Sequence, residues 1–213
     1  MRVFIGVDPR DPVSYNVLHW SIARRASRPV SITPLVLPQL PLTRRGLTDF
    51  TYSRYLVPSL CGFSGKALFM DSDMLCLADL RELFALQFLE SVAVVKSAQR
   101  FEWPSLMLFN CDQCRDLTVQ YVNDEASDPA ALEWGSVSAL PAEWNHCVGY
   151  DEPKDAKIVH FTAGTPAFKE RRNCEYSHAW HAEYSSMIAQ VSWLEIHGHS
   201  VHRPLVLKEL GLL

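Results

Sequence analysis

The run Lys66-Ala67-Leu68-Phe69-Met70-Asp71-Ser72-Asp73-Met74-Leu75 decides how the rest of the chain reads. Ala67 to Met70, with Lys66 in front, has the short apolar character of a buried strand. It runs directly into two carboxylates. Residues two apart in an extended chain share a face, so Asp71 and Asp73 can aim at one point. Anions held that close repel unless a cation, a shared proton or strong hydrogen-bond donors offset the charge. Hard carboxylate oxygens in this arrangement suit Mg2+ or Mn2+. The competing reading is a polar strand end whose aspartates cap the next turn, and the pair alone does not separate the two.

Upstream, Val3-Phe4-Ile5-Gly6-Val7 is a β-branched and aromatic strand closed by Asp8-Pro9-Arg10-Asp11-Pro12. Ser14 is placed to cap a helix that turns Val17, Leu18, Ser21 and Ile22 inward. A second strand is expected over Val30 to Leu37, interrupted by Pro34. A helix follows from Thr48 or Asp49 to about Leu60, shortened or kinked by Pro58. Gly62 and Gly65 then turn the chain into the opening strand. Downstream, Asp79 caps a short helix to Phe84. Strands are expected at Ser91 to Lys96, Leu106 to Asn110 and Ala156 to Phe161. Between them lie a helix from Asp112 to Asn123, a short helical piece over Ala130 to Trp134 and a loop over Leu140 to Asn145. Tyr176 to Gln190 reads as an aromatic-rich helix.

Alternating strands and helices with short connections predict an α/β fold, a central mixed, mostly parallel sheet flanked by helices. Ligands of such sheets bind beyond the carboxyl ends of the strands. Asp8, the Asp71/Asp73 pair and His160 all sit at strand ends and could share one rim.

The 213 residues are 48% hydrophobic and 21% charged, with a net charge of −4 and the signs interspersed. That is enough chain for a sizeable core, and no basic block advertises a nucleic-acid partner. No apolar run reaches 18 residues, so no transmembrane segment is expected, nor a signal peptide at the start. The six cysteines are scattered. Cys111-x-x-Cys114 lacks the second pair or redox context that would make it a metal or disulfide motif. A soluble, cytoplasmic protein with packed, reduced cysteines is the expectation.

With these pieces in place, the chain resembles the retaining glycosyltransferases of the glycogenin and bacterial lipopolysaccharide galactosyltransferase type. Three segments carry the resemblance: Val3 to Ile22; Thr51-Tyr52-Ser53-Arg54-Tyr55-Leu56-Val57-Pro58 followed by Ala67 to Leu75; and His160-Phe161-Thr162-Ala163-Gly164-Thr165-Pro166. A Tyr-x-Arg about a dozen residues ahead of an apolar strand and Asp-x-Asp is far rarer than Asp-x-Asp alone. The resemblance implies a GT-A fold, with a nucleotide-sugar-binding domain over residues 1–170 and a C-terminal helix and tail, 171–213, packed on it. It implies that Asp71, Asp73 and His160 hold Mn2+ or Mg2+ against the diphosphate of a nucleotide-sugar donor, most often UDP-linked. Arg54, with the two aspartates, falls in the catalytic group and lies against the donor sugar. Val7, Asp8, Tyr15, Ser72, Asn145 and Gly164 complete the implied donor contacts. Two positions depart from the family. Trp103-Pro104-Ser105 stands where relatives carry Asn-Ala-Gly, and Thr165 where they carry lysine, with Lys169 and Arg171 nearby as substitute charges. The acceptor, whether carbohydrate, lipid or protein, and the oligomeric state are left open. Glu143 and Asp151 are the carboxylates considered as nucleophile.

The main alternative is a non-catalytic member that binds a nucleotide-sugar. A haloacid-dehalogenase phosphatase would need its aspartate on the first strand, and here two strands precede it. A nucleotidyltransferase would need a Gly-rich loop with lysine near the first strand. His197, His199 and His202, without an acidic partner, read as an exposed turn in preference to a zinc site.

Overall fold

A computed structural model describes residues 1–152, 155–190, 204, 205, 208 and 211. The strand at the centre of the sequence reading is also at the centre of the fold. It is β3 (Lys66–Met70), flanked in a six-stranded sheet by β1 (Arg2–Gly6) and β6 (Leu106–Asn110). The full order is β2-β1-β3-β6-β5-β7, where β2 is Ser31–Leu35, β5 is Val92–Val94 and β7 is Val137–Ala139. The β1–β2, β1–β3 and β5–β7 pairings are parallel, while β6 runs antiparallel to both neighbours.

The reason β3 is apolar from Ala67 to Met70 is that both its faces are covered there. Ala67 and Phe69 join one core with Phe4, Phe50, Tyr55, Leu56, Met107 and Phe109. Leu68 and Met70 join another with Ile5, Leu18, Ile22, Leu80, Leu108 and Trp144. Period-two alternation thus feeds two cores from one strand. Helix α1 (Pro12–Arg25) lies over the second face and buries Val17, Leu18, Ser21 and Ile22 as its spacing predicts. Its cap is Asp11, not Ser14. The Asp11 carboxylate accepts from Ser14 N at 3.4 Å and from Ser14 Oγ at 2.6 Å, so Ser14 is the capped residue inside the first turn.

Several expected elements are shorter than their patterns. The helix expected to begin at Thr48 or Asp49 is a 3₁₀ turn, Ser53–Leu56, running into α2 (Val57–Leu60), with Pro58 seated in its first turn. Pro34 does not interrupt β2. It pairs with Ile5 on the outermost strand, where a missing N–H costs no ladder bond on the open side. The helix expected over Asp112 to Asn123 splits into a 3₁₀ turn, Cys111–Gln113, and α4 (Val119–Asn123), capped by Thr118. Helix α3 (Leu80–Ala85) starts on the Asp79 cap as expected. Cys111 and Cys114 are both buried, and Cys114 donates from Sγ to the Ser91 carbonyl at 3.1 Å, a packing role.

A second, three-stranded sheet, β4-β9-β8, is built from β4 (Met74–Cys76), β8 (His146–Cys147) and β9 (Ile158–His160). The antiparallel β4–β9 register sets Met74 against His160, and Phe161 N donates to Asp73 O at 2.9 Å beyond it. The parallel β8–β9 register sets Cys147 against His160. Helix α5 (Ser177–Gln190) packs on α1, where buried Glu183 takes Arg25 at 2.5 Å and Arg24 at 3.1 Å. His197, His199 and His202 lie outside the described residues.

Candidate functional site

β3 ends at Met70, and the chain turns through Asp71-Ser72-Asp73 into β4. Asp71 is held there by its own N–H, which donates to Ser105 O at 3.0 Å. Because Met74 pairs with His160, the turn delivers Asp73 beside the imidazole: His160 Nε2 is 3.3 Å from Asp73 Oδ1. One ligand atom from each of Asp71, Asp73 and His160 falls within 4.8 Å of the others. His160, far along the chain, is thus brought to the two neighbouring aspartates by a strand end and a three-residue ladder.

Arg54 completes this side. It is buried. Its Nη1 donates to Pro104 O at 2.8 Å and its Nε to Phe50 O at 3.2 Å. The guanidinium lies 5.0 Å above the Phe69 ring, and Nη2 stands 3.0 Å from Asp71 Oδ1. That last approach is a charge pairing off the line a hydrogen bond needs, so Asp71 Oδ1 still has no hydrogen-bond partner. Asp73 Oδ1 is likewise buried without one.

The electrostatics follow from burial and crowding. Desolvation pushes the Asp71 carboxyl up to about 7; Arg54 pulls it down, and Asp73 and Glu102 raise it again. Burial alone would lower the His160 imidazole, yet Asp73, Cys147 and Glu102 around it hold it well above its usual value. Asp71 and His160 therefore both hold a proton more firmly than the free side chains do. Buried, unpartnered carboxylate oxygens with an imidazole nitrogen beside them fit a divalent metal, and this chain offers them from Asp71, Asp73 and His160.

A cleft of about 490 Å³ opens over this cluster, lined among others by Arg54, Asp71, Asp73, Glu102, His160 and Thr162. Exposed Leu47, Phe101 and Tyr150 stand at its mouth. Glu102 has no counterpart among the expected site residues. It is buried, accepts from the Thr162 hydroxyl, and places Oε2 3.5 Å from His160 Nδ1. It sits in a 3₁₀ turn, Arg100–Ser105, with no periodicity to single it out, and its partners come from the far end of the chain.

The other expected residues are placed as follows. Asn145 is buried and braces the turn under Glu102, donating from Nδ2 to Ser105 Oγ at 3.0 Å. Ser72 is buried between the aspartates. Val7 and Asp8 leave β1 next to β3 at the same end of the sheet, but Asp8 is closed by Arg10, with Nη2 2.6 Å from Oδ2. Tyr15 packs on the α1 face, its ring centroid 6.0 Å from that of His19. Gly164 has φ +106°, a left-handed conformation that favours glycine, and a Cβ there would meet Phe168 at 3.3 Å. Thr165 is buried against Ser14, Oγ1 to Oγ 3.1 Å, and Arg171 donates from Nε to Ala163 O at 3.0 Å. Val7, Asp8, Tyr15, Ser72, Asn145 and Gly164 lie outside the walls of the cleft that holds the cluster.

The sequence profile described as "Glycosyl transferase family 8" matches residues 25–116, the part that contains Arg54, Asp71, Asp73 and Glu102. Protein CDI of Arabidopsis thaliana is 31% identical over 219 aligned positions, covering 84% of each chain. The fold matches the bifunctional glycosyltransferase WbbM at a TM-score of 0.67 with 17% identity, over 92% of this chain and 50% of that one. It matches GlyE of Streptococcus pneumoniae at 0.64 with 16% identity, over 89% and 62%. It matches the galactosyltransferase LgtC, in complex with donor and acceptor sugar analogs, at 0.57 with 12% identity, over 87% and 96%. The chain thus spans about half of WbbM and most of LgtC and of the Arabidopsis relative. Strand order, cluster geometry and relatives agree: the chain belongs to glycosyl transferase family 8.

Proposed function

We propose that the protein moves a hexose from a UDP-linked or similar nucleotide-sugar to an acceptor, with retention at the anomeric carbon, and that it needs Mn2+ or Mg2+ to do so. The observation that carries this reading is the pair of buried carboxylate oxygens without hydrogen-bond partners, Asp71 Oδ1 and Asp73 Oδ1, gathered with His160 in the floor of an open cleft. Asp71, Asp73 and His160 would hold the cation. Bound there, it neutralises charge developing on the departing diphosphate without proton transfer.

The chain's own residues prepare that site. Arg54 keeps positive charge against Asp71, with its own guanidinium anchored by Nη1 on Pro104 O and Nε on Phe50 O. Glu102 faces Nδ1 of His160, so a proton there leaves Nε2 as the free lone pair toward the aspartates. Val7 and Asp8, on the strand beside β3, take the base and ribose end of the donor, with Tyr15 next to them. Gly164 lets backbone approach the diphosphate, and Ser72 and Asn145 border the sugar. The domain over residues 1–170 carries these contacts, and helix α5 (Ser177–Gln190) packs on its α1. LgtC, which shares the fold, is a galactosyltransferase captured with donor and acceptor sugar analogs, which supports a sugar-transfer reading here. The six unpaired cysteines suit a reducing compartment, and we place the protein in the cytoplasm. No described helix is long and apolar enough to cross a membrane.

The test is a panel of nucleotide-sugars with and without Mn2+, read by thermal shift and by release of nucleoside diphosphate. The expected result is one donor that stabilises the protein only with metal, and loss of that effect in the Asp71→Asn/Asp73→Asn double variant. Binding without turnover toward any acceptor would favour the non-catalytic member. No metal-dependent binding of any donor would sink the reading.

A further inference from the structure

His160 is shared by two clusters. Nε2 faces the aspartates, while Nδ1 faces Glu102 and Cys147. The β8–β9 register puts Cys147 beside His160, with Sγ 3.9 Å from Nδ1, and Glu102 Oε2 approaches the same nitrogen at 3.5 Å. One ligand atom from each of Glu102, Cys147 and His160 lies within 4.8 Å of the others, and all three residues are buried. A tetrahedral zinc with bonds of about 2.3 Å to sulfur and about 2.0–2.1 Å to nitrogen and oxygen has S···N and N···O edges of roughly 3.6 and 3.4 Å. The observed separations of 3.9 and 3.5 Å are within a few tenths of an ångström of those edges. Glu102 is steadied by the Thr162 hydroxyl, and Asn145 Oδ1 stands 4.0 Å from Cys147 Sγ as a polar neighbour.

We propose that Glu102, Cys147 and His160 form a second cation site, selective for a thiophilic divalent ion of the zinc type, whose occupancy excludes the hard-cation site. Thiolate, imidazole and one carboxylate favour zinc over Mn2+ or Mg2+, whereas two carboxylates and an imidazole suit the harder ions. On uptake the Cys147 thiol releases one proton to solvent and its sulfur bonds the metal; no electron is transferred. Ligation through Nδ1 leaves the ring proton on Nε2, 3.3 Å from Asp73 Oδ1, where it becomes a donor to Asp73. His160 then has no lone pair to offer toward Asp71 and Asp73. Zinc would therefore shut the donor site by turning its histidine ligand into a hydrogen-bond donor. The exclusion rests on the proposed Mn2+ or Mg2+ site; the zinc cluster does not.

The experiment uses the full chain with His197, His199 and His202 replaced by alanine, so that the histidine tail contributes nothing. Zn2+ affinity is measured by competition with a chromophoric chelator, and Mn2+ binding by the electron paramagnetic resonance of free Mn2+. One equivalent of zinc should bind, weakened by at least about tenfold in Cys147→Ser and in Glu102→Gln. Cys147→Ser should keep its Mn2+ affinity, which also shows that it has folded. Added Zn2+ should displace Mn2+ from the parent and fail to do so in Cys147→Ser. Unchanged zinc affinity in Cys147→Ser, or zinc lost only in Asp71→Asn/Asp73→Asn, overturns the site. Both ions bound together without mutual weakening overturns the exclusion. Zinc bound at Cys147 with no Mn2+ binding at all leaves the zinc site standing and sinks the donor-site reading.

Discussion

Two neighbouring parallel strands each run into an aspartate, Asp8 two residues beyond β1 and Asp71 directly after β3, and the two behave in opposite ways. β1 leads to Asp8, whose carboxylate takes Arg10 through Nε at 2.9 Å and Nη2 at 2.6 Å. The Arg10 hydrogen bonds hold its carboxyl below the ordinary range. β3 leads to Asp71, which is buried beside a second carboxylate, has one oxygen without a hydrogen bond, and is pushed up to about 7. Residue type is the same, and both residues follow the same end of the sheet. What differs is the supply of donors. Asp8 is a closed account of charge within its own loop, whereas Asp71 and Asp73 carry more negative charge than Arg54 and His160 satisfy by hydrogen bonding. An unmet requirement of that kind marks a site better than the presence of aspartate does.

The contrast can be broken at several points. Asp71→Asn should reduce sugar transfer by about a thousandfold or more, because a group that stabilises transition-state charge is worth several kcal/mol; assays at saturating donor and Mn2+ would show it. Arg54→Ala should cost about a hundredfold and also lower the unfolding temperature, since it leaves Asp71 buried without its counter-charge. A loss of stability without loss of turnover would make Arg54 a structural residue only. The third effect is on pH. Asp71 is raised from 3.8 to about 7, so the stability it contributes to the metal-free fold is full below about pH 4 and lost as the pH rises through about 7. A cation must displace those protons, so Mn2+ should raise the unfolding temperature more at about pH 8 than at about pH 5.5. Equal shifts at the two pH values would place the metal elsewhere. The smallest effect is expected at the other strand end. Asp8→Asn should weaken binding of a uridine nucleotide by less than about tenfold and leave Mn2+ affinity unchanged, because Arg10 already occupies its carboxylate.

The local parts of this arrangement were legible in the sequence. β3, α1 and the Asp79 cap each carry their cause within a few residues: an apolar run, a 3.6-residue stripe, a short polar side chain ahead of a helix. Asp71 and Asp73 were legible for the same reason, and His160 through its segment's resemblance to a family. Glu102 was not. Nothing within the Arg100–Ser105 turn distinguishes it from a surface acid, and its meaning comes from Thr162 and His160, which the β-ladder brings from far along the chain. β4 and β8 are three and two residues long, too short for alternation to show. Pro34 misled in the other direction, because its cost depends on whether the strand is an edge, which only the sheet order reveals.

The pairing of Met74 with His160 also says what kinds of change the protein can absorb. Side chains alternate along a strand, so sliding β9 by one residue would turn His160 away from Asp73 and bring Val159 or Phe161 into its place. A slide of two would restore the facing direction but move the imidazole by about one strand repeat, near 7 Å. Length variation among homologues should therefore be free in the surface connections and nearly forbidden inside this small ladder. A duplicated or deleted residue there would leave a folded protein with every ligand still in its sequence and no place where they meet.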